Sequence, residues 1–123
     1  MIETWCWRCG IEYPMLEDSE WSVIQTAHAF MHEDRAAPMR QLAADARRLG
    51  LSQPRAIDRN APLVAQRLWH MIAGFEMFTG ILETSPNPIY HHVLSAYGPP
   101  CSCCGKLLRT RNATYCVACG TRA

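Results

Sequence analysis

A chain of 123 residues with seven cysteines and a formal net charge of +1 suits one domain with one modest core, and leaves no whole-molecule field to draw it onto nucleic acid or an anionic membrane. The start, MIETWCWRCG, has neither a basic n-region nor an apolar h-region, and no apolar run approaches spanning length, so neither a signal peptide nor a transmembrane helix is read and a cytoplasmic setting is expected. Thiols stay reduced there, so paired cysteines are read as metal ligands before disulfides.

The first sixteen residues hold Cys6-x-x-Cys9-Gly, an N-terminal knuckle, within an acidic head: Glu3, Glu12, Glu17, Asp18 and Glu20 face only Arg8. Residues 17–97 read as a helical core. After Pro14, Asp18 or Ser19 can cap a helix with Trp21, Ile24, His28 and Met31 at one-face spacing, ending near His32. Pro38 and Gly50 bracket a second, with Met39, Leu42, Ala43, Ala46 and Leu49 inward and Arg40, Arg47 and Arg48 outward. A third begins after Asn60 and Pro62, carries Val64, Leu68, Met71, Ile72, Phe75 and Phe78 on one apolar face, and stops at Gly80. Gly74 within it costs roughly 1 kcal/mol relative to alanine, which hints at close packing. TSPNP breaks the chain, and Asn87 with Pro88 can start a short helix through IYHHVLSAY until GPP ends it.

In residues 98–123, Cys101-x-x-Cys104-Gly and Cys116-x-x-Cys119-Gly form two knuckles, and KLLRTRNATY between them can fold as two short strands around a turn near Arg111 and Asn112. A CxxC turn brings both sulfurs to one side, and the glycine after it permits the backbone to aim amide hydrogens at them. Four thiolates then converge on one structural Zn2+, which supplies the core this tail otherwise lacks. Cys103 could replace Cys101 or Cys104, but only the outer pair preserves CxxC followed by glycine, so it is read as a free thiol.

Cys6 and Cys9 have no sequence-adjacent partners for a second zinc. His91 and His92 could complete a site, although consecutive helical residues point about 100° apart and both ligate one ion only if the helix breaks. His28 and His32, four apart on a helix face, are geometrically a better pair, but His91 and His92 are the best candidates because they lie just before the ribbon and the chain ends must meet. The third option is an unmetallated turn packed among Trp5, Trp7 and Tyr13. The sequence thus predicts a mainly α single domain: three to four helices, a C-terminal zinc ribbon with a short β-hairpin, and the N-terminal knuckle packed near it.

Residues 101–120 resemble the zinc-ribbon family. More widely, CWRCG followed by PMLEDSEW, and ETSPNPIYHHVLSAYGPPCSCCGKLLRT leading into CVACG, resemble a family of small bacterial proteins that carry these two boxes around a variable helical middle. The resemblance implies that head and tail boxes form one unit, and an association with bacterial toxin systems.

No Gly-rich phosphate loop, GxSxG or HExxH is present, and a four-thiolate zinc keeps no open position for water, so an enzyme is not expected. Binding a protein partner is the first reading, most concretely as an immunity-type inhibitor of a toxin, with Glu17, Asp18 and Glu20 supplying charge complementarity and Trp5, Trp7 and Trp21 the anchors. A nucleic-acid-binding or transcription-associated ribbon is the alternative, with Lys106, Arg109 and Arg111 on phosphates and Tyr115 stacking a base.

Overall fold

A computed structural model describes residues 1–123. The head is a regular antiparallel hairpin, β1 (Ile2–Cys6) and β2 (Ile11–Met15), in a register running from Ile2 opposite Met15 to Cys6 opposite Ile11. The CxxC turn is the loop of this hairpin: Gly10 N–H donates to Cys6 O at 2.8 Å, and Gly10 has φ 70°. The β-favouring residues Ile2, Thr4, Trp5, Ile11 and Tyr13 explain the strands. The knuckle spelling had masked them.

Helix α1 (Asp18–Ala29) starts one residue earlier than the Asp18 or Ser19 cap allowed. Glu17 is the cap, closing a reciprocal box with Glu20. Met1 N–H3+ reaches Glu17 and Glu20 at 3.3 and 2.7 Å, so part of the acidic head is neutralised within the chain. Ile24 and Ala27 face the core, whereas His28 and Met31 are exposed. A 3-10 turn, Phe30–His32, ends this segment.

Helix α2 (Ala37–Leu49) runs as expected from Pro38 to a left-handed Gly50, with Leu42 and Ala46 buried. Leu49 is exposed, because the helix drifts out of contact in its last turn. The third predicted helix is two: α3 (Leu63–Arg67) and α4 (Trp69–Thr79), separated at Leu68 with φ −111° and ψ 28°. Val64 is consequently exposed, while every residue from Trp69 to Phe75 is buried. No one-face pattern describes α4, since it is covered on all sides.

Leu16, Ile24, Leu42, Trp69, Ile72, Phe75, Ile89 and Val93 belong to one core. Gly74 is where α4 meets α1: a Cβ there would lie 2.7 Å from Ile24 Cγ1. His28 Nδ1 and His70 Nε2, 2.8 Å apart, join the same two helices.

After α4 the chain makes 3-10 turns at Asn87–His91 and Leu94–Ala96 rather than one short helix. Between them His92 leaves helical geometry and Val93 pairs with Leu16: Leu16 N–H donates to His92 O at 2.8 Å and Leu94 N–H to Leu16 O at 3.0 Å. The exit of the head hairpin is thereby stitched to the segment that precedes the tail.

The tail folds as loops around its cysteines. The expected β-hairpin is absent as regular strands, and only the bridges Pro100 to Leu107 and Tyr115 to Arg122 form. The chain on either side of each knuckle pairs across that knuckle, Leu108 N–H donating to Pro99 O and Cys116 N–H to Thr121 O, so the two arms between the knuckles do not pair with one another. Gly98 anchors the tail, its N–H donating to Leu108 O at 2.8 Å, and a Cβ there would run into the Thr110 carbonyl. Trp7 Nε1–H donates to Leu107 O at 2.7 Å, and Cys6, Met15, Tyr97 and Leu107 form a second apolar cluster between head and tail.

Truncating fully buried Phe75 to alanine is expected to destabilise the chain by about 3–5 kcal/mol, read by denaturant unfolding. Burial, then the neighbouring His28, depresses His70 from 6.5 to about 4. The folded chain therefore holds fewer protons than the unfolded one in that window, and stability is lost as pH falls from 6.5 through about 4. His70→Gln should flatten this part of the stability-against-pH curve.

Candidate metal centres

Two groups of four donors have all their ligand atoms within 4.8 Å of one another: Cys101, Cys104, Cys116 and Cys119, and Cys6, Cys9, His91 and His92. In the first, the knuckles interleave, with Cys101 Sγ 3.6 Å from Cys119 Sγ and Cys104 Sγ 3.6 Å from Cys116 Sγ. These separations are far too long for disulfides, and every cysteine is free. A tetrahedron with Zn–S near 2.3 Å has edges of roughly 3.8 Å, which the sulfurs already approximate.

The local turns favour the thiolate at two of the four cysteines, whereas Cys104 is pushed up to about 11, the Lys106 N–H that lowers it being outweighed by desolvation and the neighbouring thiols. Cys103 N–H donates to Cys101 Sγ at 3.4 Å, and backbone N–H groups of Cys104 and Cys103 hold the Cys101 thiol below its ordinary value. The Thr121 hydroxyl, 3.3 Å from Cys119 Sγ, and the Thr121 N–H bring Cys119 down to about 6. Gly105 and Gly120, each with φ 78°, supply the left-handed residue that closes each knuckle. Cys103 is exposed and outside the donor group, as its spelling indicated.

The second group joins the two ends of the chain. Cys9 Sγ lies 3.2 Å from His92 Nε2 and 3.5 Å from His91 Nε2. A mixed sulfur–nitrogen edge of a zinc tetrahedron is roughly 3.5 Å. The helix break that the two histidines require is the departure at His92 described above, and His91 and His92 rings stand at 75° with centroids 4.3 Å apart. Cys6 is fully buried, with the Tyr97 hydroxyl 3.7 Å away; that hydroxyl also donates to His91 O at 2.8 Å. Burial, then His91, depresses His92 to about 4, so its ring is neutral and able to ligate near pH 7.

The competing histidine pair is not assembled: His28 bonds His70, and His32 Nδ1 lies 2.5 Å from Ala29 O on its own turn. They stand four positions apart, but His32 lies in the 3-10 turn beyond α1, and neighbouring partners claim both rings. The donor chemistry of both groups fits zinc, with thiolates in both and imidazole in one.

The other predicted contacts are scattered. Trp5 and Trp7 are half-buried, edge to face at 6.1 Å, and Lys106 Nζ sits 3.9 Å above the Trp5 ring. Arg109 Cζ is 5.9 Å from Trp7. Trp21 packs against the core and meets Tyr90 edge to face at 5.8 Å. Glu17 and Asp18 are exposed, and Arg111 reaches Ser95 O at 3.4 Å. Tyr115 is exposed. Sequence reasoning missed Tyr97 and Glu83; the one available signal was that Glu83 is the last carboxylate side chain of the sequence. No helix is long and apolar enough to cross a membrane.

No protein-family model, curated protein or solved structure matches this chain.

Elemental analysis of the purified chain is expected to return two zinc ions. Cys104→Ser and Cys9→Ser should each lower the stoichiometry to about one, and a chelator should abolish tail structure while leaving the helical circular dichroism largely intact.

Proposed function

We propose that the chain is a non-catalytic zinc-binding protein that works by engaging a protein partner, most concretely as an immunity-type inhibitor of a toxin in the bacterial cytoplasm. The observation that carries the non-catalytic part is the composition of both donor groups: four protein ligands each, which fills a tetrahedral zinc and leaves no position for water. Structural zinc of this kind stiffens a surface rather than reacting at it.

The partner surface suggested by this reading is the groove between the start of α1 and the tail. It encloses about 710 Å3 and is lined on one side by Glu17, Asp18 and Ser19 and on the other by Leu94, Tyr97 and Arg111. A basic side chain of a toxin entering it would meet the exposed carboxylates, and the charge would chiefly accelerate association. Trp5 and Trp7 lie with the cations of the tail instead, so they no longer form one patch with these acids.

That pairing is the specific observation favouring the nucleic-acid reading, because aromatic rings beside Lys106 and Arg109 make a face for stacking and phosphate contact. Four tail cations supply little affinity, and Glu3 and Glu12 share the Trp5 face of the hairpin. Protein binding therefore stays first.

Co-purification from the host should yield one stoichiometric protein. Changing Glu17 and Asp18 to lysine, with Glu20 kept to hold Met1, should slow association with it by roughly tenfold at low salt and much less at high salt. Recovery of nucleic acid instead, lost on changing Lys106, Arg109 and Arg111 to glutamine, would install the alternative.

A further inference from the structure

The second metal centre has a carboxylate behind it. His92 is 1% exposed, its Nε2 is turned toward Cys9, and its Nδ1 is buried without a hydrogen-bond partner. The nearest anionic group is Glu83 Oε1, 3.7 Å from that Nδ1. The same oxygen accepts the Tyr13 hydroxyl, and the Tyr13 ring stacks on His92 with centroids 4.0 Å apart at 22°. Phe75 packs against both rings, with centroids 6.0 Å from His92 and 6.5 Å from Tyr13.

A buried imidazole N–H without an acceptor is destabilising, and the Glu83 carboxylate, which already accepts from Tyr13, has lone pairs left to offer it. Moving that carboxylate by under about 1 Å brings Oε1 within hydrogen-bond distance of Nδ1. That bond would keep the proton on Nδ1 and leave the Nε2 lone pair directed at the site, as ligating histidines require. His91 is different: its ring is half-exposed and borders solvent, in a cavity it shares with Arg8, Glu83 and Asn87.

We propose that Glu83 is the positioning residue of the Cys6–Cys9–His91–His92 centre: its carboxylate, clamped by Tyr13, accepts the Nδ1 proton of His92 and fixes the ring as an Nε2 ligand. The inference rests on the reading of those four residues as a zinc site. It makes the asymmetry between the two histidines a built feature, with His92 locked from behind and His91 held only by its backbone turn and the metal.

The test is zinc affinity of the full chain, measured by competition with a chromophoric chelator, together with the visible spectrum of the cobalt-substituted protein, where sulfur–nitrogen and four-sulfur sites absorb differently. Glu83→Ala should weaken zinc binding at the mixed centre by about 10- to 100-fold while the four-cysteine centre keeps its affinity and its cobalt bands. Glu83→Gln, which retains an acceptor and the Tyr13 bond but not the charge, should recover part of that loss. Wild-type affinity at the mixed centre in both variants would overturn the proposal, as would equal weakening of both centres, which marks a general folding defect. Wild-type protein that takes up a single metal, with four-sulfur bands only, would instead remove the mixed centre itself.

Discussion

The fold depends on a backbone junction: Leu16, leaving the head hairpin, pairs with Val93 as the chain leaves the helical core. Two peptide hydrogen bonds there do what side-chain chemistry alone could not. They pull the chain out of helical geometry at His92, so that two consecutive histidines point to one place, and they fix the hairpin tip that carries Cys6 and Cys9 beside them. The apolar cluster of Cys6, Met15, Tyr97 and Leu107 then seals head against tail. Without the junction the head knuckle would meet the tail only through that cluster and the Trp7–Leu107 hydrogen bond.

The helical middle rests on a different principle. Helix α4 is buried on every side and short enough to be enclosed, and Gly74 lets it approach α1 closely. Its intrinsic helix penalty is offset by packing that a larger residue would prevent. A polar contact, His28 to His70, sits within this interface. The middle is thus a frame whose two ends deliver Leu16 and Val93 to one another.

Much of this was legible in the sequence, and unevenly. The ribbon cysteines were readable because their spacing is itself a geometric statement: Cys101, Cys104, Cys116 and Cys119 converge as CxxC turns dictate. Helix ends at Pro38, Gly50 and Gly80 followed from fixed backbone preferences. The hairpin was hidden because its alternating residues surround a motif with a competing explanation. The split at Leu68 has no local signal, since every residue near it suits a helix and burial decides the matter. His91 and His92 were readable as candidates from their place just before the ribbon, whereas the break that turns both toward Cys9 depends on a long-range pairing that no spacing encodes, and Glu83 could be placed only by the ring it stands behind.

The two centres differ in the stretch of chain they close. Cys104 and Cys116 are 12 residues apart, whereas Cys9 and His92 are 83 apart. Considered as reversible cross-links, they act on very different loops of the unfolded polypeptide. Loop-closure entropy makes the longer link worth roughly 2 kcal/mol more in restricting the unfolded chain. The short link can form as soon as the tail emerges and needs nothing else. The long one has its donors aimed at one place only when Leu16 and Val93 are paired, so its geometry depends on the whole molecule. A cell limited in zinc would then hold a population with finished tails and unlatched heads, distinguishable by protease susceptibility near the N-terminus rather than by any change in the core.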